Sequence, residues 1–185
     1  MRKLLAVAMM AGSWLAPAAA VAQAAGMAPE HELGVDLAML YQAPSGGNGV
    51  FRIMTPVDVR LGFVSSSKVS LEPRFTLNFA SSSGTTVYNI GPDLNVLWKL
   101  GPGHGYRNLM GPYLTAGLGV NIISFGTGGS SGATVTINGG LGTRVAWGPG
   151  AFRLEGFAAY TPKNSSLGTS NTLGIGVRAG LSLWH

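Results

Sequence analysis

The amino-acid sequence predicts an all-β chain, namely an eight-stranded antiparallel up-and-down transmembrane β-barrel preceded by a cleavable signal peptide. Three observations support this prediction. The chain of 185 residues is 46% hydrophobic and only 10% charged, compared with roughly 25% charged in an average soluble domain. It contains 29 glycines, which are typical of chains with many turns. Eight segments alternate apolar and polar residues with the period of two that indicates strands with unlike faces.

The N-terminal segment has the composition of an export signal. Arg2 and Lys3 supply its positive charge, an apolar stretch follows, and small residues precede the expected cleavage point after Ala24. The alternative, a single membrane helix, needs about 20 apolar residues, and this stretch is shorter. The sequence therefore predicts a signal peptide over residues 1–24 and a barrel domain over residues 25–185.

The eight alternating runs predict the strands, and segments rich in Gly, Ser, Asn and Pro predict the turns between them. The predicted strands cover residues 33–41, 50–63, 69–79, 86–100, 113–123, 133–147, 151–160 and 172–184. Pro56, Pro73 and Pro92 lie inside these runs. Because proline cannot donate a hydrogen bond to a ladder, each should mark a strand start, a bulge or a kink.

The charged residues of the predicted strands share one face. By alternation this face lies opposite the large apolar side chains, and it also carries many glycines. The predicted lumen charge network comprises Asp36, Arg52, Asp58, Arg60, Glu72, Arg74, Asp93, Lys99, Arg144, Arg153, Glu155 and Arg178. The remaining charges of the mature chain are expected in the tail, turns or loops: Glu30, Glu32, Lys68, Arg107 and Lys163.

The energetic cost of placing charged side chains in lipid decides which face of the strands lies against the membrane and which lies in the lumen. A soluble barrel with an apolar interior would need a far more polar exterior than glycine and alanine provide. In a membrane, an Arg or Lys facing lipid at the midplane costs roughly 2–4 kcal/mol. Seven such residues would cost on the order of 20 kcal/mol, more than a typical net stability. The sequence therefore predicts the charges in the lumen, with Arg60–Glu72 and Arg74–Asp58 as candidate ion pairs.

Aromatic residues on the apolar face fall near the ends of the predicted strands. This placement is typical of the aromatic girdles at the two interfaces of a membrane. The predicted girdle comprises Tyr41, Phe51, Phe63, Phe79, Tyr88, Trp98, Trp147, Phe152 and Tyr160.

Several classes of function receive no support from the sequence. Cysteine is absent, which excludes disulfides, thiolate metal ligands and thiol catalysis. Basic residues are scattered rather than clustered, so we expect no nucleic-acid partner. No metal constellation, nucleotide loop or hydrolase motif is present, so we expect no catalytic residue, no metal ligand and no cofactor.

With these features in place, the sequence resembles the small outer-membrane β-barrel proteins related to the OmpA transmembrane domain and OmpX. The resemblance covers roughly residues 31–185, and it includes GPYLTAGLGV (111–120) and the final strand GVRAGLSLW. It implies a monomer in the outer membrane of a Gram-negative bacterium, in contact with lipid and lipopolysaccharide. It also implies insertion by the barrel-assembly machinery, which reads an aromatic residue at the end of the last strand; here Trp184 is penultimate and His185 is last.

Three functional hypotheses follow. An eight-stranded barrel is just filled by its own side chains, which favours a structural or interaction role with a plugged lumen and no enzymatic activity. A narrow channel or a carrier of apolar compounds would need a continuous lumen or a lateral gap, for which Pro56 and Pro92 mark candidate positions. A lipid-modifying enzyme at the outer rim would need a histidine beside a nucleophile. None of the histidines, His31, His104 and His185, adjoins one in the sequence.

Overall fold

The computed structural model describes residues 31–65, 68–82, 85–101, 110–125, 131–148 and 150–184. Within these strands, the side chains of residues 50–57, 77–82, 85–89, 123–125 and 131 lie outside the description. The predicted signal peptide also lies outside the described residues. No helix in the described part of the chain is long and apolar enough to cross a membrane.

Eight antiparallel strands close into a single barrel in sequence order, which confirms the predicted fold. The strands are β1 (His31–Pro44), β2 (Val50–Val64), β3 (Val69–Ser82), β4 (Thr85–Lys99), β5 (Gly111–Phe125), β6 (Ser131–Trp147), β7 (Gly150–Thr161) and β8 (Thr172–Trp184). The ladder between β1 and β8 closes the barrel, with pairs from Glu32–Trp184 to Pro44–Thr172.

The strands differ from the predicted ones mainly at their ends. Strands β1 and β5 each extend two or more residues beyond the predicted bounds on both sides. Near the turns the sequence is rich in Gly, Ser and Pro, so the apolar–polar alternation is lost there. Ladder pairing nevertheless continues through these residues. We call the end of the barrel where β1 begins and β8 finishes the terminal end, and the opposite end the far end.

The two faces of the sheet are inverted relative to a soluble barrel. Large apolar side chains lie on the outside, and Trp147 and Leu118 are 61% and 60% exposed. The charged side chains lie inside, and Arg60 and Arg153 are fully buried. An exterior of this kind is stable only in lipid, so the chain is a membrane-spanning barrel with its polar face in the lumen.

Each of the three strand prolines coincides with an irregularity in a ladder, as expected for a residue without an N–H group. Beside Pro56, the β1–β2 register shifts between the pairs Asp36–Asp58 and Ala38–Met54. The β2–β3 ladder is interrupted beside Pro73, and the β4–β5 ladder beside Pro92.

The shift at Pro56 adds two residues to β2, and an even shift leaves the later residues on the same face. Arg52 therefore pairs with Leu40, a residue whose side chain is buried in the lumen. The side chain of Arg52 itself lies outside the described residues.

The ladder between β2 and β3 covers only part of the two strands. It runs from Val64–Ser70 at the terminal end to Val57–Leu77, while β3 continues to pair with β4 as far as Ser82. Among the described residues, 50–56 of β2 have no ladder partner on β3. We call this far-end half of the β2–β3 boundary the β2–β3 seam.

Glycines on the lumen face make room for large neighbouring side chains. The guanidinium of Arg60 lies over Gly34 of β1, so closely that a Cβ atom at Gly34 would overlap it. The phenol of Tyr113 lies over Gly142 of β6 in the same way. In a lumen this narrow, the missing Cβ atoms supply space that the long side chains occupy.

This packing predicts that Gly34→Ala destabilises the barrel by about 1–3 kcal/mol, because the methyl group displaces Arg60 from its partners. The matched control is Gly156→Ala on the exposed face, where a Cβ would meet only the Leu141 carbonyl oxygen at 4.0 Å. Urea unfolding in detergent micelles, followed by loss of heat-modifiable migration on a gel, measures both variants. Equal midpoints for the two variants would contradict the packing argument.

Candidate functional site

The lumen is the candidate functional site, and the structure brings most of the predicted charges together there. Two of the twelve, Asp58 and Asp93, are half-buried, and the side chain of Arg52 lies outside the description. The other nine are buried: Asp36, Arg60, Glu72, Arg74, Lys99, Arg144, Arg153, Glu155 and Arg178. The buried members lie mainly in the terminal half of the barrel, as the ladder registers show.

A buried acid that the sequence analysis placed in the tail belongs to this site. Glu32 lies in β1, which begins at His31 rather than at residue 33, and its side chain is buried. Glu32 lies four residues before Asp36, so the two side chains share one face of β1. This even spacing was the sequence signal that could have placed Glu32 in the lumen. The expectation that Glu32 lies outside the barrel is therefore wrong.

Arg60 of β2 is held by the two acids of β1. Its Nη2 atom lies 2.9 Å from Oε1 of Glu32, and its Nη1 atom donates to Asp36. Nη2 also donates to the hydroxyl of Ser182 on β8. The sequence suggested Glu72 as the partner of Arg60, but the register directs Arg60 towards β1, where Gly34 leaves room for it.

Glu72 of β3 accepts hydrogen bonds from three arginines, two of them from across the lumen. Arg144 on β6 donates at 2.7 Å and Arg153 on β7 at 2.9 Å, while Arg74 of the same strand donates at 3.1 Å. Arg144 also donates to Glu32 at 2.6 Å, which joins Glu72 to the β1 side of the network. Charge-assisted hydrogen bonds of this kind are the strong ones, and here they cross the full width of the barrel.

Glu155 of β7 is the second acidic centre. Arg153 donates to it, and Arg74 and Arg178 lie within 3.6 and 3.4 Å. The hydroxyl of Tyr113 donates to Glu155 at 3.1 Å and accepts a hydrogen bond from Nε of Arg153. The guanidinium of Arg153 also lies 4.6 Å from the centroid of the Tyr113 ring, a cation–π distance.

Sequence reasoning missed Tyr113, because alternation in the run 113–123 was read from its leucines and valines. Tyr113 is in phase with the small residues of β5, and it is almost fully buried in the lumen. Its even spacing from the glycines of β5 was the sequence signal that could have placed this aromatic side chain in the lumen.

Among the described side chains, those in the far half of the lumen are less charged and form two unlike groups. Ala38 and Leu40 of β1 pack with Phe157 of β7 to form an apolar wall. On β5, β6 and β7, Asn121 donates to Thr136 at 2.8 Å, and Thr136 and Thr161 share a hydrogen bond of 2.8 Å.

An apolar cluster covers part of the terminal end. Trp184 and Ala151 are buried there, with Val64 and Met110 packed against them. Trp184 pairs with Glu32 in the ladder and is only 1% exposed, so its ring does not lie on the lipid face.

The predicted aromatic girdle is described in part. Its six described members are exposed on the outer face: Tyr41, Phe63, Trp98, Trp147, Phe152 and Tyr160. The side chains of the other three, Phe51, Phe79 and Tyr88, lie outside the described residues.

The described residues offer little for metal or histidine chemistry. Among them, no group of three or more His, Cys, Asp or Glu side chains is placed to hold a metal ion. His31 is exposed, and its ring meets the edge of Phe63 at 5.5 Å between centroids. The other two histidines, His104 and His185, lie outside the description.

Solved structures share this fold, although the sequence similarity is low. No protein-family model matches the chain, and no curated protein matches it. The crystal structure of Neisserial surface protein A (NspA) superposes with a TM-score of 0.59 at 19% identity, covering 85% of this chain and 99% of NspA.

Ail, the attachment invasion locus protein of Yersinia pestis, solved in complex with the heparin analogue sucrose octasulfate, gives a TM-score of 0.51 at 13% identity. That match covers 85% of this chain and 100% of Ail. The chain has the fold of the small eight-stranded outer-membrane β-barrels. The resemblance recognised from the sequence is thereby confirmed at the level of the fold.

The network predicts that Glu72→Gln destabilises the barrel by about 3–5 kcal/mol, because three arginines lose the charge of a shared acceptor. Asp93→Asn is the matched control, because Asp93 is half-buried and has no ion pair within 4 Å among the described side chains. Its expected cost is below about 1 kcal/mol. Urea unfolding followed by tryptophan fluorescence in lipid vesicles measures both, and similar losses would contradict the central role of Glu72.

Proposed function

We propose that the chain is an integral outer-membrane β-barrel protein with a structural or interaction role, no enzymatic activity and a lumen plugged by its own side chains. The observation that carries this proposal is the set of ion pairs from Glu72 to Arg144 and Arg153, which cross the lumen in its terminal half. These side chains are fully or almost fully buried. A solute crossing the barrel would have to separate them at a large electrostatic cost.

The proposed location is the outer membrane of a Gram-negative bacterium, reached through the signal peptide of residues 1–24 with the barrel in residues 25–185. The exposed apolar exterior supports contact with lipid and lipopolysaccharide. The six exposed aromatics of the predicted girdle would lie at the two interfaces. The terminal end, where β1 begins and β8 ends, would face the periplasm.

Insertion by the barrel-assembly machinery through β8, and a monomeric state, are part of this proposal. Because Trp184 faces the lumen, the outer row of β8 presents Val177 and Leu181 rather than an aromatic residue. We therefore propose that the barrel-assembly machinery recognises the lipid-facing residues of β8.

The proposal does not include binding of polyanions at the outer surface or of nucleic acid. Ail was crystallised with a heparin analogue, but the far-end connections of this chain carry one charged residue, Lys163. A single lysine in short connections rich in Gly and Ser provides too little positive charge for a polyanion.

A plugged lumen predicts that the purified protein produces no stepwise conductance in planar lipid bilayers. The double variant Glu72→Ala with Arg153→Ala removes one pair from the centre of the network and is expected to introduce small channels. Heat-modifiable migration establishes first that the variant is folded. Stepwise conductance from the wild-type protein would overturn the plug.

A second candidate function, the carriage of small apolar solutes, is favoured by one observation. The β2–β3 seam leaves the far-end half of β2 without ladder partners on β3. Ala38, Leu40 and Phe157 line an apolar wall in the same half of the lumen. A seam in the barrel wall would connect such a lumen to the surrounding lipid without crossing the plugged half.

This candidate predicts that locking the seam abolishes the uptake of an apolar fluorescent dye by vesicles containing the protein. The chain has no cysteine, so Met54→Cys on β2 and Ala80→Cys on β3 introduce one thiol on each side of the seam for treatment with bifunctional reagents of increasing length. Ala80→Cys with Val87→Cys is the control, because these positions already pair in the β3–β4 ladder. Wild-type vesicles that take up no more dye than protein-free vesicles would rule this candidate out.

A further inference from the structure

The sequence contains two asparagines that are followed directly by glycine. Asn48 precedes Gly49, and Asn138 precedes Gly139. The side-chain amide of an asparagine reacts with the backbone nitrogen of the next residue, and a glycine there has no side chain to obstruct the approach. Asparagine is one of the thermolabile residues of proteins. The two sites share the same reactive dipeptide, so a difference in reactivity between them would come from the fold.

The fold leaves Asn48 and Gly49 outside its ladders. The β1–β2 ladder ends at Val50, and both residues are exposed. The turn before them is held, since the N–H of Gly47 donates to the carbonyl of Pro44 at 3.3 Å. Among the described residues, no hydrogen bond holds the side-chain amide of Asn48 or the backbone nitrogen of Gly49. The amide can therefore rotate towards that nitrogen.

A tyrosine of the outer face packs against this glycine. The phenol hydroxyl of Tyr41 lies over Gly49, so closely that a Cβ atom at Gly49 would overlap it. A larger residue at this position would have to displace the Tyr41 ring. The packing of Tyr41 therefore favours a glycine at the position that makes Asn48 reactive.

Asn138 and Gly139 lie within β6, between two ladders. Asn138 pairs with Gly117 of β5 and with Ala159 of β7, and Gly139 pairs with residues of the same two strands. In a strand that is paired on both sides, each backbone N–H donates to one neighbour or the other. The Gly139 nitrogen could reach the Asn138 side chain only after local opening of these ladders inside the membrane, which is costly.

We propose that Asn48 is a site of spontaneous deamidation in the folded protein and that Asn138 is protected. The backbone nitrogen of Gly49 loses its proton to hydroxide and forms a bond to Cγ of Asn48. The bond from Cγ to the side-chain nitrogen breaks, and this nitrogen leaves as ammonia after taking a proton from water. The product is a cyclic imide.

One water molecule then opens the cyclic imide in either of two ways. Breaking the new bond between Cγ and the Gly49 nitrogen restores the main chain and gives aspartate. Breaking the original peptide bond instead routes the main chain through Cγ and gives isoaspartate. In total one water is consumed and one ammonia is released, without oxidation or reduction.

Either product places a carboxylate in the far-end connections. Lys163 is the one charged residue in the sequence of these connections, so the modification introduces their first negative charge. Because Asn48 lies beyond the β1–β2 ladder, the change leaves the strand pairs in place. Modified and unmodified chains therefore coexist as folded barrels, whether the lumen is plugged or carries solutes.

Peptide mass spectrometry of the purified protein in lipid vesicles tests the proposal. During incubation at mildly alkaline pH, the peptide that contains Asn48 should gain the mass added when OH replaces NH2, and it should separate into aspartate and isoaspartate forms. Digestion at acidic pH prevents further reaction. Asn138 should react at least about tenfold more slowly. Unfolding the protein in urea before the incubation should bring the two rates close together.

Three outcomes of this measurement would overturn the proposal. Equal rates at Asn48 and Asn138 in the folded protein would show that the ladders give no protection. An Asn48 that does not react in the folded protein would show that the turn is closed to the reaction. A rate difference that persists in urea would show that the fold is not its cause.

Isoelectric focusing of the folded protein in detergent gives a second measurement that needs no digestion. Incubated wild-type protein should develop a more acidic band, and Asn48→Gln should not, because the longer side chain forms the cyclic imide far more slowly. Asn138→Ser, which places a smaller polar residue in the lumen, is the matched control and should keep the band. Heat-modifiable migration establishes that both variants are folded. A band of equal strength in Asn48→Gln, or its loss in Asn138→Ser alone, would contradict modification at Asn48.

Discussion

The narrow lumen is the constraint on which the rest of this structure depends. Eight strands enclose a space just wide enough for side chains, and the lipid outside forces the polar side chains into it. Each long charged side chain therefore needs a partner within reach and an empty volume beside it. Arg60 shows both requirements, because Glu32 and Asp36 neutralise it while Gly34 leaves room for its guanidinium. The ion pairs and the positions of the glycines therefore together determine how the lumen is packed.

The same constraint explains how much of the fold could be predicted from the sequence. A period of two fixes which residues share a face, so the strands, their number and the lumen face of the described charges within the predicted runs followed from the alternation. Strand ends were less accurate, because Gly and Pro obscure the alternation where ladders continue. Glu32 was missed for this reason, since it lies just before the first clear alternating residues of β1.

The partners within the lumen could not be derived in the same way. Alternation gives the face of Arg60 and Glu72, but the choice of partner depends on the register between strands and on the shear of the closed barrel. The pairs of Glu72 with Arg144 and Arg153 join strands that are distant in sequence. Tyr113 was missed because an aromatic residue suggests the lipid face, whereas here its hydroxyl completes the hydrogen bonds of Arg153 and Glu155.

The distribution of these interactions divides the barrel into two unequal halves. The terminal half is held by ion pairs between strands and covered by the apolar cluster around Trp184. The far half has an apolar wall, a few neutral hydrogen bonds and the β2–β3 seam. Opening the seam breaks no described ion pair, because the ladder resumes at Val57, before the strand reaches Arg60. An opening of the barrel wall at the seam would therefore leave the ion pairs of the terminal half intact.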